Sequence, residues 1–209
     1  MPIERNPMSF YEDRVLPFVV HFAMSSRQFV EYRQRTISNA RGLVLEIGIG
    51  SGLNLPLYSG EVASVHGIDP SPRLLKRASR QRGTRSVLVQ GSAETLPFDN
   101  GAFDTVVTTW TLCTIPNVLE ALREMRRVLR PDGRMLFVEH GHAPDCGVAR
   151  WQDRLTPCWK CLGGGCHLNR KIDELVTAGG FHIERLDTGY MRARSPFSYM
   201  YEGVARPRC

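Results

Sequence analysis

The 209 residues carry 27 Lys and Arg against 21 Asp and Glu, a formal net charge of +6 with a pI near 9.2. A chain of this length buries a hydrophobic core as one domain without covalent staples, so its six cysteines need no disulfide framework and are expected to be reduced thiols. No run approaches the ~18 uninterrupted apolar residues of a membrane span, and no basic-then-apolar signal peptide opens the chain; the expected location is cytoplasmic.

Residues 1–40 read as one or two helices forming a lid ahead of a single domain at 41–209. The apolar run VLPFVVHFAM at 15–24 supplies core or lid side chains. Peripheral membrane contact is the less favoured reading, because the run is too short to span. Strands are then predicted at 43–47, 63–69, 86–90, 103–109 and 133–140, with helices at 54–59, 71–82 and 116–129 between them. This alternation implies a parallel sheet covered by helices. The RPDGR segment at 130–134 is a turn set by Pro131 and Gly133. At the end of the chain, 181–189 and 198–205 read as an antiparallel hairpin at the sheet edge. The arginines of 123–130 alternate with the apolar stripe Val118, Leu119, Leu122, Met125, Val128 and Leu129, the pattern of a solvated helix face. No nucleic-acid motif accompanies them, and a nucleic-acid partner is not expected.

Ligands of an open parallel sheet sit beyond the carboxyl ends of its strands. Four loops at that edge are informative: EIGIGSG after the first strand, GIDPSP after the second, QGSAETLPF after the third and TTWTLC after the fourth. A dinucleotide fingerprint would need glycine at 53, where Leu53 stands, and no Gly-Lys-Ser/Thr of a phosphate loop occurs. A ligand with a ribose remains, because Asp69 at a strand end can accept hydrogen bonds from both hydroxyls.

Together these loops resemble the class I S-adenosylmethionine-dependent methyltransferases. Glu46, Gly48, Gly50 and Gly52 match that family's first motif, Asp69 with Pro70 its ribose acid, and GSAETLPF its adenine loop. The resemblance implies a Rossmann-like α/β fold, a mainly parallel seven-stranded sheet with a C-terminal antiparallel hairpin, and S-adenosyl-L-methionine as cofactor. It places Gly48 and Gly50 against the methionine part, Ser92, Ala93 and Glu94 at the adenine loop, and Thr108 near the amino-acid end.

Methyl transfer needs an aligned nucleophile and exclusion of water. Oxygen and carbon acceptors usually need a base, whereas a thiol, with pKa ~8.5, is already partly ionised near neutrality. His140 after the fifth strand is the candidate base; Tyr11, Phe18 and Cys113 are candidates for the acceptor pocket. The CWKC at 158–161 with Cys166 and His167 invites a zinc reading, but no second CxxC follows and no metal is expected. DPSP, TLCTIPNVLEALREMRRVLRPDG, FVEHG and GGCHLNRKIDELVTAGGF further resemble the alkyl-thiol methyltransferases, a group anchored to membranes by an N-terminal hydrophobic segment with no counterpart read here. That resemblance implies a hydrophobic small-molecule thiol as acceptor. The alternatives are C-, O- or N-methylation of a quinone precursor or phospholipid head group, or a cofactor-binding protein without catalysis. Oligomeric state is not legible.

Overall fold

The computed structural model describes residues 24–208 together with 18, 21 and 22; Tyr11 and most of the 15–24 run lie outside the described residues. Helix α1 (Arg27–Ile37) precedes strand β1 (Gly42–Ile47), a short 3-10 turn (Leu55–Leu57), β2 (Val62–Asp69), α2 (Pro72–Ala78) and β3 (Ser86–Gln90). Then come β4 (Phe103–Thr109), α3 (Val118–Val128), β5 (Leu129–His140), α4 (Cys146–Leu162), α5 (Ile172–Ala178), β6 (Phe181–Tyr190) and β7 (Tyr199–Pro207). The seven strands run in the order β3-β2-β1-β4-β5-β7-β6, with only the pairings of β7 antiparallel. This is the Rossmann-like class I arrangement expected from the resemblance.

β1 pairs along one edge with β2 and along the other with β4, its alternate side chains enter buried clusters on both faces of the sheet, and its sequence is accordingly aliphatic apart from Glu46. Successive side chains point to opposite faces: Val44 joins one buried cluster with Val107, Leu136 and Ile37, while Leu45 joins the other with Val106, Phe137 and Leu122. α3 buries Val118, Ala121, Leu122, Met125 and Val128. On its other face Arg123 pairs with Glu120, and Arg127 pairs with Glu124 and caps the carbonyls of Leu96 and Phe98. Two of the arginines behind the basic charge are therefore spent within the fold.

The element boundaries differ from expectation in four places, one being α2, predicted to reach residue 82 and ending at Ala78. The segment predicted as a helix at 54–59 is a single 3-10 turn, Leu55–Leu57; Pro56 sits in its first turn, where no N–H is needed, and the chain leaves the helix at Tyr58, whose backbone is extended with φ −67° and ψ 139°. β5 starts at Leu129, which pairs with Phe103, and pairing resumes with Arg134 opposite Thr105; RPDGR is an irregularity within the ladder rather than a turn ahead of it. α4 and α5 fill the segment between β5 and β6, where no element is predicted. Among the described residues no helix is long and apolar enough to cross a membrane.

Candidate active site

Strand order reverses about β1, where β2 departs to one side and β4 to the other, and this topology opens a crevice at the carboxyl ends of the strands. A cavity of about 610 Å³ lies there. Glu46, Gly48, Gly50, Asp69, Pro70, Ser92 and Ala93 all line it, so seven of the nine predicted cofactor residues converge.

The glycines differ in what they do. Gly48, Gly50 and Gly52 have φ of +65°, +55° and +76°, in the left-handed region open to glycine. A Cβ on Gly48 would lie 2.5 Å from the side chain of Thr111, and one on Gly52 would meet Ala78 at 3.0 Å. These two serve packing. A Cβ on Gly50 would meet nothing nearer than the Gly48 carbonyl at 3.8 Å, so this glycine keeps the cavity itself clear.

The acids hold the loops and keep free lone pairs. The buried Asp69 carboxylate accepts from the Gly50 N–H at 3.0 Å and the Ser71 N–H at 2.8 Å, one on each oxygen. Burial raises its pKa, and the two N–H groups oppose the rise. Each oxygen retains acceptor capacity for a hydroxyl. The buried Glu46 accepts from Asn54 Nδ2 at 2.9 Å and Tyr58 OH at 2.8 Å; burial pushes its pKa up to about 7 against those hydrogen bonds.

Several contributors are not legible as site residues in the sequence. Arg33 of α1 is 5% exposed yet lines the cavity, donating to the Met24 carbonyl at 2.7 Å while its guanidinium lies 4.9 Å from the Trp110 ring centroid. Its Nε is buried without a hydrogen-bond partner, and burial lowers its pKa to about 10 although Glu46 pulls the other way. Trp110 follows β4 with φ +51°, a strained conformation for a bulky side chain, and packs edge-on against Phe29 with ring centroids 4.9 Å apart. The chain then turns because Thr111 and Leu112 donate their N–H groups to buried Glu139 at 2.9 and 3.0 Å. Burial raises Glu139 to about 7. The TTWTLC loop marked this strand end, but a lone arginine in a preceding helix carries no local signature.

The cavity is lined as well by Thr114, Ile115, Pro116, Gly163, Gly164 and Gly165, and by His21 and Met24. His21 Nδ1 lies 2.7 Å from Ser51 Oγ.

The other predicted residues are placed elsewhere. Thr108 is fully buried and does not line the cavity; strand alternation brings its neighbour Thr109 to the wall instead. Glu94 turns from the cavity to accept from the Asn117 N–H at 2.6 Å and Ser92 Oγ at 3.0 Å, tying the adenine loop to the start of α3. Phe18 is 59% exposed, stacked by Arg77. Cys113 and His140 lie behind the wall, with His140 Nε2 2.9 Å from Cys166 Sγ. The Cys113 thiol and the His140 imidazole draw Cys166 well below the ordinary thiol range. Cys158 and Cys161 are exposed on α4, so the CWKC spacing does not assemble with Cys166.

Residues 45–137 match the Methyltransferase domain family. The matched segment is a methyltransferase domain, and the fold around it is that of the class I S-adenosylmethionine-dependent methyltransferases. It is 33% identical to Thiol S-methyltransferase TMT1B of Rattus norvegicus over 69% of this chain and 62% of that protein. It is 43% identical to Phosphatidylethanolamine N-methyltransferase of Cereibacter sphaeroides over 52% of this chain and 57% of that one. The alignments thus span about six-tenths of these relatives' lengths. The fold likeness reaches the YcgJ protein of Bacillus subtilis with a TM-score of 0.65 at 18% identity, covering 87% of this chain and 98% of the other. The cofactor that this methyltransferase domain implies is S-adenosyl-L-methionine. The residues present fit it: the open space before Gly50, the two-oxygen acceptor of Asp69, the buried Glu46 carboxylate and the unspent Nε donor of Arg33 answer its ribose, its cationic centre and its carboxylate.

Proposed function

We propose that this methyltransferase methylates a small hydrophobic thiol. The single observation that carries the proposal is the acceptor wall. Among the described residues it is built from Met24, Ile115 and Pro116, threonine and glycine backbone, with the His21 imidazole held at 2.7 Å to Ser51 Oγ, while His140 stands behind it against Cys166 rather than facing the cavity. Among the described residues the carboxylates of the cavity, Glu46 and Asp69, are engaged by Asn54, Tyr58 and backbone N–H groups, and such a site suits an acceptor that ionises by itself, as a thiol does nearest to neutral pH. The similarity to a rat thiol S-methyltransferase, over an alignment of 151 residues, supports the same acceptor class.

When bound, the cofactor supplies an electrophilic methyl group on a sulfonium centre. Asp69 accepts the ribose hydroxyls and, through the Gly50 N–H, holds the glycine loop in place. Glu46 offers negative charge at the buried end of the cavity, where low dielectric makes it count most. Trp110, Met24 and Ile115 exclude water from the acceptor side, and α1, through Arg33, together with His21 and Met24 acts as the lid. The alternative acceptor, a phospholipid head group, is favoured by the 43% identity to a phosphatidylethanolamine N-methyltransferase.

Incubating the chain with methyl-labelled cofactor and a panel of alkyl thiols, phenols, amines and lipid extract tests the reading. Label should enter thiols, with turnover rising with pH until the bound thiol is ionised. Label passing to amines or lipids while thiols stay unlabelled would overturn it.

A further inference from the structure

Behind the acceptor wall three soft donors meet. Cys113 follows β4, His140 ends β5 and Cys166 lies in the loop after α4, and the structure brings these three loops together. The two Sγ atoms and a ring nitrogen of His140 all lie within 4.8 Å of one another. All three residues are buried, at 2%, 9% and 8% exposure. Cys113 and Cys166 are chain neighbours of Thr114 and Gly165, whose backbones touch in the cavity wall, a Gly165 Cβ position lying 3.3 Å from the Thr114 carbonyl oxygen.

We propose that Cys113, His140 and Cys166 form a three-ligand site for a soft divalent cation of the zinc class. Tetrahedral zinc, with bonds of about 2.3 Å to sulfur and about 2.0 Å to nitrogen, sets its donors roughly 3.5–3.8 Å apart. The cluster brackets that spacing. The His140–Cys166 contact, at 2.9 Å, would widen by less than about 1 Å to admit the ion. Two thiolates and a neutral imidazole balance a dication, so the loaded site carries no net charge into the protein interior. The donor set is two sulfurs and one imidazole nitrogen, which discriminates against magnesium and calcium; the neighbouring Glu139 accepts the Thr111 and Leu112 N–H groups with one oxygen and is outside the set. Three protein ligands leave a fourth position open. The ion would pin the loops after β4, β5 and α4, and with them the Thr114–Gly165 wall of the acceptor cavity. Cys158 and Cys161, exposed on α4, take no part.

The test is metal uptake by the full chain, purified reduced and metal-free, and titrated with cobalt(II) or cadmium(II) while thiolate-to-metal charge-transfer absorbance is followed. It needs no turnover, so it stands or falls apart from the acceptor assignment. Saturation is expected at about one ion per chain, with apparent affinity falling at least about tenfold in Cys166→Ser and in His140→Ala and holding in Cys158→Ser/Cys161→Ser. Unchanged cofactor affinity in the single variants shows that they remain folded. Should they fail to fold, X-ray absorption of the zinc-loaded wild type decides: two sulfurs and one imidazole nitrogen support the site, an oxygen-dominated shell overturns it. Absence of the charge-transfer band in the reduced wild type, or a band that disappears with Cys158 and Cys161, also overturns it.

Discussion

Gly48 and Gly50 sit two residues apart in one loop with nearly the same φ, yet alanine should act through different physics at each. Both substitutions force an L-residue into the left-handed region, a cost of about 1–2 kcal/mol, partly offset because alanine restricts the unfolded chain by about 0.4–1 kcal/mol. Gly50→Ala adds no clash, since its Cβ has open space; the net loss should be about 1 kcal/mol, or ~2–4 °C in Tm for a chain of this size. Its methyl group projects into the cavity, so cofactor affinity should fall at least about tenfold, about 1.4 kcal/mol. Gly48→Ala drives its Cβ to 2.5 Å from both Thr111 Oγ1 and Cγ2, an overlap that adds about 1–3 kcal/mol. Its Tm should fall roughly twice as far or more. Thr111→Ala removes both clashing atoms, so the double variant should recover the overlap part and keep the backbone part. Thermal unfolding and calorimetric titration of each protein read the two effects separately. Equal stability losses for both glycines, no recovery in the double variant, or undiminished cofactor affinity in Gly50→Ala would refute the division of labour.

Asp69→Ala removes the ribose acceptor and orphans the Gly50 and Ser71 N–H groups, so cofactor affinity should fall at least about tenfold, measured by titration calorimetry; wild-type affinity would remove Asp69 from the site. Glu46 titrates near 7 rather than its ordinary 4.5, so its contribution to the stability of the free chain is fully present below about 4.5 and lost as pH rises through about 7. A cationic ligand favours the carboxylate, so affinity for S-adenosylmethionine should climb by up to about tenfold per pH unit between those values and level off above, with proton release in the calorimeter; a flat profile would sink this role. Arg33→Met removes a buried guanidinium whose Nε is unspent: cofactor affinity should drop at least about tenfold while Tm moves by only a few degrees, and unchanged affinity would make Arg33 a packing residue of α1.

The Rossmann-like sheet and its cofactor edge were legible because they follow from local rules. Buried parallel strands read as aliphatic runs, a chain turning tightly beside a ligand needs glycine, and an acid at a strand end stands where ligands of an open sheet bind; β1, Gly50 and Asp69 illustrate the three rules in turn. The alternation of elements fixed which loops share an edge, and the family resemblance singled out Ser92 and Ala93 within one of them. Tertiary structure alone decided the rest. Thr108 and Thr109 look equivalent in sequence, and only the direction of β4 relative to its neighbours turns the second toward the cavity. Arg33 belongs to a helix whose packing, not its sequence, carries the guanidinium over Trp110. His140 reads as a base facing an acceptor until the loop after α4 folds back and sets Cys166 against it, 26 residues away in sequence. The spacing of CWKC suggested one cysteine cluster, and the fold built another from Cys113, His140 and Cys166. Local sequence sets backbone conformation and which residues are buried, but convergence of distant side chains depends on how sheet and helices pack, and that is a property of the whole chain.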